Sequence, residues 1–307
     1  MRVAVIDCGT NTIRLLVADA GPDGTPAEVV RDLRLVRLGQ GVDATRTFHP
    51  DALTRTFAAI DDYAARLHEL GVDRVRFLAT SAARDVTNRH ELFEGVRRRL
   101  GIDVEVIAGD EEARLAYLGA LSGGRVASGP VLVMDVGGGS TELILGDLDG
   151  TIRAARSLDV GSVRIRERLL HGDPPTAAEI AAARSHVAGL VATCGVDVRA
   201  ARTWIGVAGT TTSLSAMAQG LTDYDRTRVH DSSVAPAVLH ELADELLAST
   251  VADVLQRWPM LQPLRAEVIC AGALICGEVS RALGDRLPMT VRETDILDGA
   301  TLELLRG

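Results

Sequence analysis

Two aspartates each close a short apolar run and face a turn of small residues. Asp7 precedes Cys-Gly-Thr-Asn-Thr12, and Asp135 precedes Val-Gly-Gly-Gly-Ser140. A carboxylate at a strand end beside a glycine-rich turn is where open α/β folds hold Mg²⁺ against phosphates. The turns offer bare backbone N–H groups that bind phosphate oxygens, and glycine lets a ligand approach because it has no Cβ. The plainer alternative for each aspartate is an Asx turn that satisfies only its own loop. More carboxylates stand in Gly109-Asp-Glu-Glu-Ala-Arg114, in the first turn of an expected helix. The helix dipole alone accounts for acidic residues there, unless one is aimed at bound phosphate and deprotonates water. Arg84, after the strand-like Val75–Thr80, can fork onto phosphate oxygens or pair with Asp85. These residue types suit phosphate binding and metal-assisted attack by water.

Composition narrows the choice. All 33 basic residues are arginine, so Schiff-base chemistry and a P-loop lysine are excluded, and arginine or a metal must neutralise any phosphate. A formal charge of −9 argues against nucleic acid and anionic membranes as partners. The apolar run at the N-terminus is too short for a signal sequence or a span, so the expected location is the cytoplasm. Cys8, Cys194, Cys270 and Cys276 form no C-x-x-C pair; they are expected to be reduced and buried, not zinc ligands or disulfides.

The elements that must position these residues repeat. Val3–Leu16 aligns without a gap on Val131–Ile144, at the 128-residue spacing of Asp7 and Asp135. Each copy predicts a β-hairpin with a small-residue tip: Thr10, Asn11 and Thr12 in the first, Gly137, Gly138, Gly139 and Ser140 in the second. Glu142 stands in the second hairpin where Arg14 stands in the first, and Asp135 and Glu142 need the turn between them to reach one metal. A third phosphate-loop candidate, with Gly209 and Thr210, follows the strand Thr203–Val207; there Ala208–Ser213 reads as a turn and Leu214–Gln219 as a helix.

Periodicity predicts helices from Pro50 to Leu70, Glu91 to Leu100, Asp110 to Leu121, Thr176 to about Cys194, Leu264 to Leu283 and Asp295 to Leu305. The Thr176/Glu179 pair is a capping-box signal. A length of 307 residues suits two domains. The linker-like Ser122–Pro130 divides them into 1–124 and 125–307.

Five ordered blocks carry a family resemblance: Val5–Thr12, Ala79–Arg84, Gly109–Arg114, Asp135–Glu142 and Gly206–Thr211, followed by Val268–Leu274. Over nearly the whole chain they resemble the exopolyphosphatase / guanosine pentaphosphate phosphohydrolase family. The resemblance implies an α/β fold of two actin-like ATPase-superfold domains with ribonuclease-H-like cores and an interdomain cleft that opens and closes. It implies hydrolysis of a terminal phosphate, from polyphosphate or from guanosine pentaphosphate, with Mg²⁺. Mn²⁺ is an alternative, and a monovalent cation is compatible. By the same resemblance Glu112, not Glu111, matches the water-activating glutamate. Asp135 and Glu142 match metal and catalytic carboxylates, Arg84 a phosphate-binding arginine, and Thr10–Thr12 with Gly137–Ser140 the phosphate loops. Asp7 joins Asp135 and Glu142 as an expected metal ligand.

Longer family members carry further helical domains, and the end at Gly307 implies a preference for short polyphosphate. A homodimer is compatible with this reading. A kinase on the same superfold and a non-hydrolytic alarmone or polyphosphate sensor are the competing expectations.

Overall fold

The computed structural model describes residues 1–21, 25–126 and 128–306. The chain divides into two compact units, Met1–Gly119 with Ile296–Gly307, and Ala120–Asp295. The expected boundary at 124/125 thus stands a few residues beyond the division, which falls inside the helix Gly109–Ser122. Of the expected linker, residue 127 lies outside the described residues. The last helix, expected in the second domain, belongs to the first unit.

The first unit holds a five-stranded sheet of β1 (Arg2–Cys8), β2 (Thr12–Ala20), β3 (Pro26–Leu35), β4 (Arg74–Ala79) and β5 (Val104–Val106), in the order β3-β2-β1-β4-β5. β1 runs antiparallel to β2 and parallel to β4. Alternation along β1 sends its side chains to two cores. Ala4 and Ile6 pack with Ile60, Tyr63 and Leu92, whereas Val5 packs with Leu78, Leu115, Ile296 and Ala300. Two-sided burial explains why β1 reads as an unbroken apolar run. The helix Pro50–Leu70 ends as its sequence directs: His49 accepts a hydrogen bond from the Asp51 N–H, Pro50 opens the first turn, and Gly71 closes it at φ 61°.

The helix Ile296–Arg306 packs on β1, β2 and β3, and Arg31 of β3 pairs with its Asp298. Its Gly299 lies against the Leu115 carbonyl, where a Cβ would clash.

The second unit holds β6 (Val131–Val136), β7 (Thr141–Gly146), β8 (Ile152–Leu158), β9 (Thr203–Val207), β10 (Ser232–Val234) and β11 (Met289–Val291), in the order β10-β11-β9-β6-β7-β8. Read from β8, this is the order of the first sheet with one antiparallel edge strand added. An antiparallel three-strand meander extended by parallel strands is the ribonuclease-H-like core, so the chain is a duplicated, actin-like ATPase superfold. The long apolar helix Pro263–Ala282 packs on the helices Ser162–Leu169, Ala177–Thr193 and Pro236–Ala248. The Thr176/Glu179 capping box forms as expected.

One local expectation fails. Ala208–Ser213 is not a turn before a helix; the helix runs from Ala208 to Ala218. Ala208 takes φ 71°, so the chain reverses within one residue, in a conformation that costs a non-glycine residue strain. Among the described residues no helix is long and apolar enough to cross a membrane. The four cysteines are free and buried.

Candidate phosphate-binding and catalytic residues

In the first unit the hairpin β1–β2 turns on a hydrogen bond from the Gly9 N–H to the Thr12 carbonyl, 2.9 Å. The segment after β3 holds the tip from outside. Val36 and Arg37 donate their N–H groups to the Asn11 carbonyl, and Gly39 donates to the Thr10 carbonyl at 2.8 Å. Gly39 is required there, because a Cβ would overlap the Thr10 side chain. Since the peptide unit is planar and trans, carbonyls turned toward this segment leave the N–H groups of Asn11 and Thr12 facing away from it. The side chains of Thr10 and Asn11 are buried, and among the described residues Thr10 Oγ1, Asn11 Oδ1 and Asn11 Nδ2 have no hydrogen-bond partner. Each orphaned group of this kind costs about 1–3 kcal/mol, which marks the tip as a place prepared for a polar ligand.

Asp7 and Arg14 are directly opposite in the register. They form an ion pair of 2.6 Å, with a second bond of 3.1 Å from Arg14 Nε. The metal-ligand role expected of Asp7 therefore competes with an arginine already bound to it. Burial pushes the neighbouring Cys8 thiol up, which removes it as a nucleophile at neutral pH.

Glu111 and Glu112 separate cleanly. Glu111 makes two 2.8 Å bonds to Arg114, and that hydrogen bonding holds its carboxyl below the ordinary value. Glu112 is buried and accepts a 2.7 Å bond from Arg84, whose Nη1 also donates to the Ile107 carbonyl at 3.0 Å. Burial pushes the Glu112 carboxyl up, helped by the charge on Asp7 and opposed by Arg84 and Arg14. A buried carboxylate with a raised proton affinity and one cationic partner has the character of a general base.

In the second unit the hairpin β6–β7 repeats the turn, with Gly137 N–H donating to the Ser140 carbonyl at 3.0 Å. Its tip is held by the start of the helix Ser162–Leu169. Ser162 donates to the Gly137 carbonyl, and Val163 and Arg164 donate to that of Gly138. By the same planarity the N–H groups of Gly138 and Gly139 face away from that helix. Gly161 packs so closely that a Cβ would overlap the backbone of Gly138.

Asp135 and Glu142 are cross-strand neighbours, so both carboxylates share one face of the hairpin. Both are buried, and Glu142 accepts a 2.7 Å bond from Ser157, its neighbour on β8. Two carboxylates on one face, beside a small-residue hairpin tip, fit Mg²⁺, which is usually held by one or two carboxylates plus phosphate oxygens and water. Among the described residues no group of three or more His, Cys, Asp or Glu is arranged to hold a metal.

The third loop differs from expectation. Thr210 is fully buried, and its hydroxyl donates to the Val136 carbonyl at 3.2 Å, tying the end of β6 to the helix Ala208–Ala218. At Gly209 the space a Cβ would occupy is filled by the guanidinium of Arg265, from the helix Pro263–Ala282. The sequence signalled Arg14 only as the counterpart of Glu142, and gave no signal for Arg265, which sits in a long apolar helix.

Two ribonuclease-H-like cores, each opened by a carboxylate-bearing hairpin with a small-residue tip, are the frame of the actin-like ATPase superfold, and the likeness to known proteins makes the chain a phosphoanhydride hydrolase. The chain belongs to the Ppx/GppA phosphatase family, whose model matches residues 16–306. It is 46% identical over 316 residues to Exopolyphosphatase 2 of Mycobacterium tuberculosis, covering 99% of this chain and 98% of that one. Among solved structures it is similar to an exopolyphosphatase-like protein, at 38% identity and a TM-score of 0.94, over 100% of this chain and 99% of that one. It is also similar to the Aquifex aeolicus family member, at 29% identity and a TM-score of 0.83, over 100% and 98% of the two chains.

Proposed function

We propose that the chain is an exopolyphosphatase, releasing terminal orthophosphate from inorganic polyphosphate by in-line attack of water. The observation that carries this reading is the burial of Glu112 against Arg84. The similarity to an exopolyphosphatase along nearly the whole length supports polyphosphate as the substrate. Phosphoryl transfer demands neutralised charge and a placed nucleophile more than covalent help. Glu112 accepts a proton from water as the new P–O bond forms, and the bond from the terminal phosphorus to the bridging oxygen breaks. The products are orthophosphate and a chain one phosphate shorter, and Glu112 returns its proton to solvent.

In the first unit the N–H groups at the β1–β2 tip would hold phosphoryl oxygens, with Arg84 supplying positive charge; in the second the N–H groups at the β6–β7 tip would do the same, with Arg265 supplying it. Asp135 and Glu142 would hold Mg²⁺, or Mn²⁺ in its place; the ion supplies neutralisation of phosphate charge when bound. Asp7 serves instead to fix Arg14, through their 2.6 Å ion pair. Four free, buried cysteines suit a reducing cytoplasm.

The test is phosphate release from tripolyphosphate, long-chain polyphosphate, guanosine pentaphosphate and ATP, side by side across a Mg²⁺ titration. Polyphosphate should be the preferred substrate, and the ratio of short to long chains gives the length preference. A preference for guanosine pentaphosphate would replace the reading with a pentaphosphate hydrolase. Phosphate transfer to a sugar or carboxylate would make it a kinase, and binding without release would make it a sensor.

A further inference from the structure

A pocket of about 450 Å³ in the second unit stands apart from every residue assigned above. Thr203, Ile205, Thr290 and Arg292 contribute to it. Thr290 pairs with Ile205, so by strand alternation these four share one face of the sheet. Trp204 and Met289 point the other way, into the core. Along β9 the pocket reaches only to Ile205, whereas Gly209 lies beyond Val207, which closes the strand.

Its charge is one-sided. Arg125, Arg202 and Arg292 line it, against the single carboxylate of Asp231. Arg292 is almost wholly buried and uses Asp231, at 2.8 Å, as its counter-ion; it also donates to the carbonyls of Ala120 and Arg125. A neighbouring glycine, Gly124, leaves the room in which the Asp231 carboxylate sits. The buried pair thus builds a rigid floor and neutralises itself. Arg125 and Arg202 are exposed, and neither guanidinium has an ion-pair or hydrogen-bond partner among the described residues. The remaining wall is apolar, from Val126, Leu287 and Pro288.

Two guanidinium forks beside an apolar wall, in a volume typical of small-molecule sites, recognise an anion with an organic body. We propose that this pocket binds a phosphate-bearing organic anion of nucleotide size, its phosphates on Arg125 and Arg202 and its body on Val126, Leu287 and Pro288. This is a second ligand site, and it stands whether or not polyphosphate is the substrate.

The probe is ADP, titrated calorimetrically into the wild-type protein and into Arg125→Glu/Arg202→Glu, with pyrophosphate as the comparison ligand. Both substitutions are at exposed positions, and a thermal melt checks that the fold is kept. Leu287→Asp is a second variant that leaves the arginines in place. The double variant should bind ADP at least tenfold more weakly and release phosphate from tripolyphosphate at the wild-type rate when ADP is absent. Leu287→Asp should weaken ADP while leaving pyrophosphate unchanged. Unchanged ADP affinity in the double variant overturns the proposal, as does pyrophosphate binding as tightly as ADP. A collapse of basal release in the double variant would assign the arginines to the substrate and also overturn it.

Discussion

The two hairpins share a turn but differ in what stands across from the aspartate. In β1–β2 the opposite residue is Arg14, and Asp7 is neutralised by an ion pair. In β6–β7 it is Glu142, so Asp135 meets a second carboxylate. One difference within a repeated frame thus sets an arginine across from the aspartate in the first hairpin and a second carboxylate across from it in the second. The tips are braced by different means to the same effect. The first is held by the segment Val36–Gly39 and the second by the start of the helix Ser162–Leu169, and in each the tip carbonyls are engaged from one side.

The largest expected effect tests the buried glutamate of the first unit, Glu112. Glu112→Gln should fold and bind polyphosphate yet lose about 10²- to 10⁴-fold in kcat, the usual contribution of a general base. Steady-state phosphate release with a binding titration reads this, and a near-wild-type kcat removes Glu112 from the role. Next, Gly161→Ala drives a methyl into the Gly138 backbone. It should lower stability by about 1–3 kcal/mol and raise KM, as read from melts and kinetics, whereas Gly189→Ala, where a Cβ meets nothing within 4 Å, should do neither.

The contrast between hairpins sharpens with Asp135→Asn. This change should raise the Mg²⁺ concentration for half-maximal activity by about tenfold or more, whereas Asp7→Asn should leave that concentration near wild type and act on substrate affinity. Equal shifts for the two would erase the distinction.

The smallest effect is in pH. Burial raises the Glu112 carboxyl above its ordinary 4.5, so the folded state holds that proton more tightly than the unfolded chain. Stability from this group is therefore present at low pH and lost as pH rises from 4.5 through the raised value. On the proposed mechanism activity runs oppositely, because Glu112 must be ionised to accept the proton of water. Arg84→Gln removes a charge that opposes the shift, and should move the acidic limb of kcat to higher pH.

Much of this was legible in the sequence, for physical reasons. The hairpins showed because strand, turn and strand each carry their own local signal twice over. Helices with one apolar face and definite caps, such as Pro50–Leu70, were equally clear. β3 and β8 were missed because they are largely solvent-facing strands rich in charge, Pro-Ala-Glu-Val-Val-Arg-Asp-Leu-Arg-Leu and Ile-Arg-Ala-Ala-Arg-Ser-Leu, and neither has a continuous apolar run. Ala208 in a left-handed turn escaped because nothing in alanine signals one. Glu112 could be set above Glu111 only by resemblance, since which of two adjacent carboxylates is buried depends on a partner 28 residues away, Arg84. Arg265 reaches Gly209 from a different element, and no local pattern carries that.

The helix Ile296–Arg306 has a consequence for how the protein is made. It supplies Ile296, Leu297 and Ala300 to a core whose other members, Val5, Leu16, Leu78, Ile107 and Leu115, leave the ribosome first. Translation is vectorial and domains generally fold as they emerge, so the first unit to be synthesised is the last that can be completed. Until Ile296–Arg306 is released, one face of its sheet lacks this cover, while Ala120–Asp295 has already been synthesised. A nascent chain stalled before Ile296 should therefore present a protease-resistant second unit beside a first that is still open to cleavage and to chaperones.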